Sequence, residues 1–372
     1  MISPPYRRRD RDYDSALPDP RRWDDDKDDD CLWGSSLAPL IDSPPPVRGS
    51  MDDGVVQELL SATALLVRLD ERLAGSVPSV RSGWAARLLV EDAAAAARLD
   101  GWLTDSRRLL EIDLGLASEP NEDDAKSLLV LQLMRAALRR SPRHLYHPAR
   151  LMAAAGLRRP MARLRPGPNL PPWVELFVPE RDHVWDVLSK ALDRNAVAAL
   201  DAQPALLGAA ALLHRWHETG AAAALGGTLG RYLAGAWLVR QGMVNETMPV
   251  MSLGWLGARG AYIPGDFEHW PTAFLQALVR AAERGLQLQA RLVTFRCRLL
   301  EAADAAGPKS ALPRAIEVLV ARPAVTSAGL ATALAITPRA ALGILTGLQA
   351  KGLVVDMMGR KSFRAWVPTV RP

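Results

Sequence analysis

Between Leu312 and Val367 the hydrophobic period switches from helical to alternating, and the residues that punctuate it admit one order of elements. Leu312 to Arg322 (LPRAIEVLVAR) spaces its apolar residues as a helix does and stops at Pro323. A second short helix, Ser327 to Ala335, leads through the turn Ile336-Thr337 into a third, from Pro338 to Lys351. Gly352 ends that helix, Leu353 to Met357 alternates toward a turn at Gly359-Arg360-Lys361, and Ser362 to Trp366 returns as a second strand. Three helices followed by a basic two-stranded hairpin make a winged helix-turn-helix, a module that reads DNA in most chains that carry it.

Charge is distributed in keeping with that expectation. Residues 308–372 hold nine Lys/Arg against two Asp/Glu, a net of +7, whereas residues 1–50 hold eight against eleven, a net of −3. With +5 over the whole chain, the middle is almost neutral and the basic surplus sits where phosphates would attract it. Double-stranded DNA is therefore the expected partner. Homodimerisation stays open.

The 372 residues suffice for two folded domains. Abundant Ala, Leu and Arg with few β-branched runs favour a mainly α architecture and a GC-rich bacterial source. Cys31 and Cys297 are too few and too distant for a zinc site or a disulfide framework, and a reducing cytoplasm is the default. MISPPYRRRDRDYD lacks the apolar segment of a signal peptide, and no stretch is long and apolar enough for a membrane span. No cofactor is expected.

Residues 1–50, with the acidic run WDDDKDDD, read as a disordered tail, and a helical pattern begins directly after Met51, an alternative start of translation. Residues 51–157 form an N-terminal helical region: Val55 to Leu73, Trp84 to Leu103 with its alanine-only centre, and Asn121 to Arg140. Residues 158–173 hold five prolines and read as a loop or flap. Further helices are expected at Arg181 to Leu192, Pro204 to Thr219, Leu229 to Gln241, Asp266 to Arg284 and Leu286 to Ala306. The winged helix then occupies 308–372.

The segments PNLPPWVELFVPERDHVWDVLSKALD, ALLGAAALLHRWHETG, GGTLGRYLAGAWLVRQGM and PVMSLGWLGARGAYIPGDFEHWPTAFLQALVRAAERG follow one another as in the helical core of the Fic family. Residues 158–306 thus resemble a Fic-like domain, whose members transfer nucleotides or phosphates to protein hydroxyls. The resemblance is to a degenerate copy. In the family motif H-P-F-x-[DE]-G-N-G-R-x-x-R, the His is the general base, the acid holds Mg²⁺, and the glycines and arginines cradle phosphates. Setting the last arginine on Arg231 puts Gly220 at the base and Ala224 at the acid, and only Gly227 and Arg231 match. His217 stands three residues too early to serve as that base. ARLDG, Ala97 to Gly101, resembles the end of the family's inhibitory motif S/T-x-x-x-E-G, with Asp100 for the acid and Ala96 for the hydroxyl. Over residues 55–367 the chain also resembles a rhizobial family of uncharacterised proteins with a C-terminal helix-turn-helix. The features shared are RLDER at Arg68 to Arg72, the Asp-Gly pair at Asp100, the turn from Gly226 to Arg231 and the ending MGRKSFRAW.

The candidate DNA-contacting residues are Thr337, Arg339, Thr346, Lys351, Arg360, Lys361 and Arg364. On the third helix Ala341, Ile344, Leu345 and Leu348 should face the core. The outward residues are mostly small or apolar, and only Arg339 and Thr346 could hydrogen-bond a base edge. Thr337 should cap that helix. Gly226, Gly227 and Arg231 form a candidate anion-binding turn at a helix start, or a bend that once served as one. His214 and His217 have helical spacing with no third metal ligand in evidence, and Trp237, Trp255, Trp270 and Phe274 read as core. Together these readings describe a non-enzymatic DNA-binding regulator with a scaffold or sensor domain. The alternatives are a protein-modifying transferase with an atypical site and a protein-interaction adaptor.

Overall fold

A computed structural model describes residues 53–117, 120–138, 145–148, 151, 181–245, 251–257, 270–303, 310–357, 359 and 364–370. The acidic tail, Met51, the proline-rich segment 158–173 and the wing-tip residues Arg360 and Lys361 lie outside them. The described part is mainly α-helical.

Helices α1 (Asp53–Ala74), α2 (Pro78–Leu99), α3 (Ser106–Asp113) and α4 (Glu122–Leu138) come first. They are followed by α5 (Arg181–Ala191), α6 (Arg194–Asp201), α7 (Ala205–Glu218), α8 (Ala221–Leu225), α9 (Gly227–Arg240), α10 (Met251–Leu256) and α11 (Trp270–Ala303). Pro78 starts α2 at a position where its missing N–H costs nothing. The run Ala93 to Ala97 is buried on every side. A helix without a polar face belongs inside. Helix α2 packs against α4, α10, α11 and α9.

The interruption expected between Arg284 and Leu286 does not exist, because α11 runs unbroken through it. Gly285 packs there rather than stopping the helix. A Cβ at that position would come within 2.8 Å of Leu69 Cδ2 and 3.2 Å of Trp84 Cζ2. The indole N–H of Trp84 donates to the Gly285 carbonyl at 2.9 Å. Close approach of α1 and α2, not a chain break, is what glycine serves at this point. The second expected helix also begins earlier, at Pro78 instead of Trp84.

The C-terminal module comprises α12 (Leu312–Ala321), β1 (Val325–Thr326), α13 (Ser327–Leu334), α14 (Pro338–Ala350), β2 (Val354–Asp356) and β3 (Ala365–Pro368). Thr326 and Thr337 cap α13 and α14 by accepting from Gly329 N and Ala340 N. The sheet has three strands in the order β1-β3-β2, all antiparallel, instead of two. Val325 and Thr326 pair with Trp366 and Ala365, while Val354, Val355 and Asp356 pair with Pro368, Val367 and Trp366. The returning strand therefore lies later than the expected Ser362 to Trp366. As the central strand β3 buries both Ala365 and Trp366, so the period-two signal that would fix its limits is missing. Two residues are also too short a strand for β1 to announce itself.

Candidate nucleic-acid interface

The C-terminal module is seated on the helical body. Gly83 of α2 lies so close to the end of α12 that a Cβ there would fall 2.0 Å from the Val320 carbonyl oxygen. One turn on, Arg87 is buried and donates from Nη1 to Gly83 O and Val320 O at 3.0 and 2.7 Å. From Nη2 it donates to Leu319 O and Arg322 O at 3.2 and 2.7 Å. A cation on the final carbonyls suits both the helix dipole and the orphan acceptors of a helix C-terminus. Burial pulls the guanidinium down to about 10, partly countered by Glu91, so it is still charged at neutral pH. Arg296 of α11 holds Glu317 of α12 with two hydrogen bonds, at 3.0 and 2.8 Å. Arg107 Nη2 of α3 donates to Met357 O at 2.6 Å, at the base of the wing.

This seating uses α12 and leaves α14 turned outward. Ala341, Leu345 and Leu348 of α14 are buried and Ile344 is half-buried, as the helical spacing predicts. Pro338, Arg339, Ala340, Leu342, Gly343, Thr346, Gly347 and Ala350 are exposed.

The candidate residues singled out by the sequence do not all converge on that face. Arg339 and Thr346 are on it. Thr337 is occupied as the cap of α14. Thr346 Oγ1 donates back to the Leu342 carbonyl. Lys351 Nζ donates to Ala302 O at 2.8 Å, joining the end of α14 to the end of α11. Arg364 donates to Asp356 Oδ2 at 2.6 Å and to Gln349 Oε1 at 3.3 Å, with its guanidinium over the Trp366 ring. Lys351 thus ties the module to the body, and Arg364 braces the module from within.

Gly226, Gly227 and Arg231 belong to a second, interior cluster. Gly226 adopts φ 82° as the residue before α9, a conformation that favours glycine. Asp100, just past the end of α2, fills the position next to it. Its carboxylate accepts from Thr228 Oγ1 at 2.6 Å and from Arg231 Nη2 at 3.0 Å. Arg231 is 1% exposed and also donates to Ser252 Oγ at 3.1 Å. Asp92, about two turns back along α2, accepts from Leu253 N at 2.8 Å and thereby caps α10. Desolvation raises its pKa to about 6, against the lowering effect of that hydrogen bond and of Arg231. His217 is held below its usual value by burial and by Arg231, with Asp100 opposing. Burial, aided by His217, takes His214 down to about 4. Both imidazoles meet Trp270 edge-on, with ring centroids 5.8 Å apart in each pair. Trp237, Trp255, Trp270 and Phe274 are all core residues. Among the described residues no three His, Cys, Asp or Glu side chains are grouped to hold a metal ion.

Residues 312–367 match the family model described as an HTH DNA binding domain. The span coincides with α12 to β3. The chain is also similar to the uncharacterized protein y4cF of Sinorhizobium fredii (strain NBRC 101917 / NGR234), with 33% identity over 94 residues. That alignment covers 25% of this chain and 24% of the relative, so the chain spans about a quarter of the curated relative it matches. Among the described residues no single helix is long and apolar enough to cross a membrane.

Sequence reasoning did not find Arg87, Gly83, Asp92 or Ser252. Arg87 stands four residues before Glu91, the spacing of an ordinary helical ion pair, so the sequence gives no sign of its burial.

Proposed function

We propose that this protein binds double-stranded DNA through residues 312–367 and acts as a transcriptional regulator whose helical body fixes the orientation of the DNA-binding module. The observation that carries the reading is a coincidence of match and geometry. The matched HTH segment presents the Arg339–Ala350 face of α14 outward, while the body grips α12. The net charge of +7 over residues 308–372 supports the same partner.

We read the body as a degenerate Fic-like domain serving as scaffold or sensor. The pairing of Arg231 with Asp100 supports this, because the resemblance assigns those positions to the last motif arginine and to the inhibitory acid. Gly220 and Ala224 stand where a base and a metal-holding acid would be needed.

Fluorescence anisotropy of the full chain against labelled duplexes, over a series of salt concentrations, tests the reading. Binding should weaken steeply with salt, and replacing both Arg360 and Lys361 by Ala should lower the log–log slope by roughly 1–2. Salt-independent binding, or none, would refute it.

A further inference from the structure

The outward face of α14 is nearly devoid of hydrogen-bonding groups. At 3.6 residues per turn, Arg339, Gly343, Thr346 and Ala350 follow one line along the helix, with Leu342 on one flank and Ala340 and Gly347 on the other. All are exposed. Because Thr346 Oγ1 donates its proton to the Leu342 carbonyl, its oxygen can only accept, and the methyl is the group it offers to an apolar feature. Leu342 is 39% exposed, one of few large apolar side chains so exposed among the described residues. A Cβ added at Gly343 or Gly347 would meet no atom within 4 Å. Those glycines therefore accommodate no neighbour among the described residues, and they thin the helix on the side where a partner would approach. Beneath this face Ala341, Leu345 and Leu348 anchor α14 to the core.

A B-form major groove offers one apolar feature to such a surface, the C5-methyl of thymine. We infer that α14 selects its DNA site by contacting thymine methyls with Leu342 and the Thr346 methyl. Gly343 and Gly347 let the helix backbone approach the base edges, and Arg339, in the first turn, supplies a hydrogen-bond donor to a guanine or a phosphate. This rests on the reading of the module as a DNA binder and deepens it, since it names the chemical group that is read.

The test uses the full chain. A preferred duplex is selected from a random library, and each thymine is replaced in turn by uracil, which pairs identically and lacks only the methyl. Affinity should fall about fourfold at one or more positions, the equivalent of one buried methyl-sized group. In Leu342→Ala or Thr346→Ser, thymine and uracil should bind alike at the corresponding position. Thr346→Ser keeps the bond to the Leu342 carbonyl, and circular dichroism melts check that both variants fold. Equal wild-type affinity for thymine and uracil throughout would overturn the inference and leave DNA binding standing. Thymine dependence unchanged in both variants would also overturn it, because other residues would then read the methyl. Failure to enrich or bind any duplex would overturn the DNA-binding reading and this inference with it.

Discussion

Arg87 of α2 and Val320 of α12, 233 positions apart in sequence, meet through a buried hydrogen bond of 2.7 Å. With Leu319 O and Arg322 O on its other nitrogen, one guanidinium closes the C-terminus of the first helix of the C-terminal module. The same helix, α2, reaches Arg231 at its far end through Asp100. One rigid rod thus touches both clusters singled out above.

Replacing Arg87 by Met should remove the donor from the Leu319, Val320 and Arg322 carbonyls while filling most of the volume. The expected loss is about 3 kcal/mol of stability, in the range of hydrogen bonds to a buried charged group. Hydrogen–deuterium exchange should locate the damage, with faster exchange over residues 312–321 than over α11. Equal acceleration everywhere would mean that Arg87 supports the whole body and not this junction.

Gly83→Ala separates packing from propensity by its sign. In a helix free of neighbours the change would stabilise by roughly 1 kcal/mol. Here the new methyl would sit 2.0 Å from the Val320 carbonyl oxygen, and backbone cannot give way as a flexible side chain can. Destabilisation by about 2 kcal/mol is expected, typical of overpacking. A higher melting temperature would show that the junction yields.

How far the sequence was legible follows from the kind of signal each feature leaves. The helices of the C-terminal module were readable because Pro323, Thr337, Pro338 and Gly352 punctuate them locally. The unbroken course of α11 was not, since Gly285 reads as a stop when its reason lies on Leu69 and Trp84, elsewhere in the chain. Strand β1 is too short to carry a period. Lys351 and Arg364 read as DNA-contacting residues by charge and position, and the bonds they make in the fold, to Ala302 and to Asp356 and Gln349, leave no local pattern in the sequence. Charge is visible in a sequence, and what a charge is spent on is a tertiary fact.

Asp100→Asn preserves shape and removes the charge that compensates Arg231. An arginine with 1% exposure left beside a neutral amide should cost about 3 kcal/mol, as expected for breaking a buried ion pair. The His217 imidazole gives a second readout. Asp100 raises its pKa while burial and Arg231 lower it, so the variant should titrate at lower pH still. NMR that follows the His217 ring would detect this, and an unchanged titration would place Asp100 outside its field.

Asp92 predicts a pH effect of unusual sign for a carboxylate. Its folded value of about 6 exceeds the unfolded one, so the folded state takes up the proton first. Its contribution to stability is fully present below the unfolded value and is lost as pH rises through about 6. His214, lowered to about 4, works in the opposite direction, because acid must charge a ring that the fold keeps neutral. The two effects oppose each other in the whole-protein profile, and only a difference measurement separates them. Urea unfolding of wild type and Asp92→Asn at pH 7 and pH 4.5 provides it, since His214 is common to both. Stability of the wild type relative to the variant should rise by about 2 kcal/mol on going from pH 7 to pH 4.5. A difference that stays level between those pH values would mean that Asp92 keeps an ordinary carboxylate pKa. The hydrogen bond from Leu253 N and the charge of Arg231 would then offset its burial.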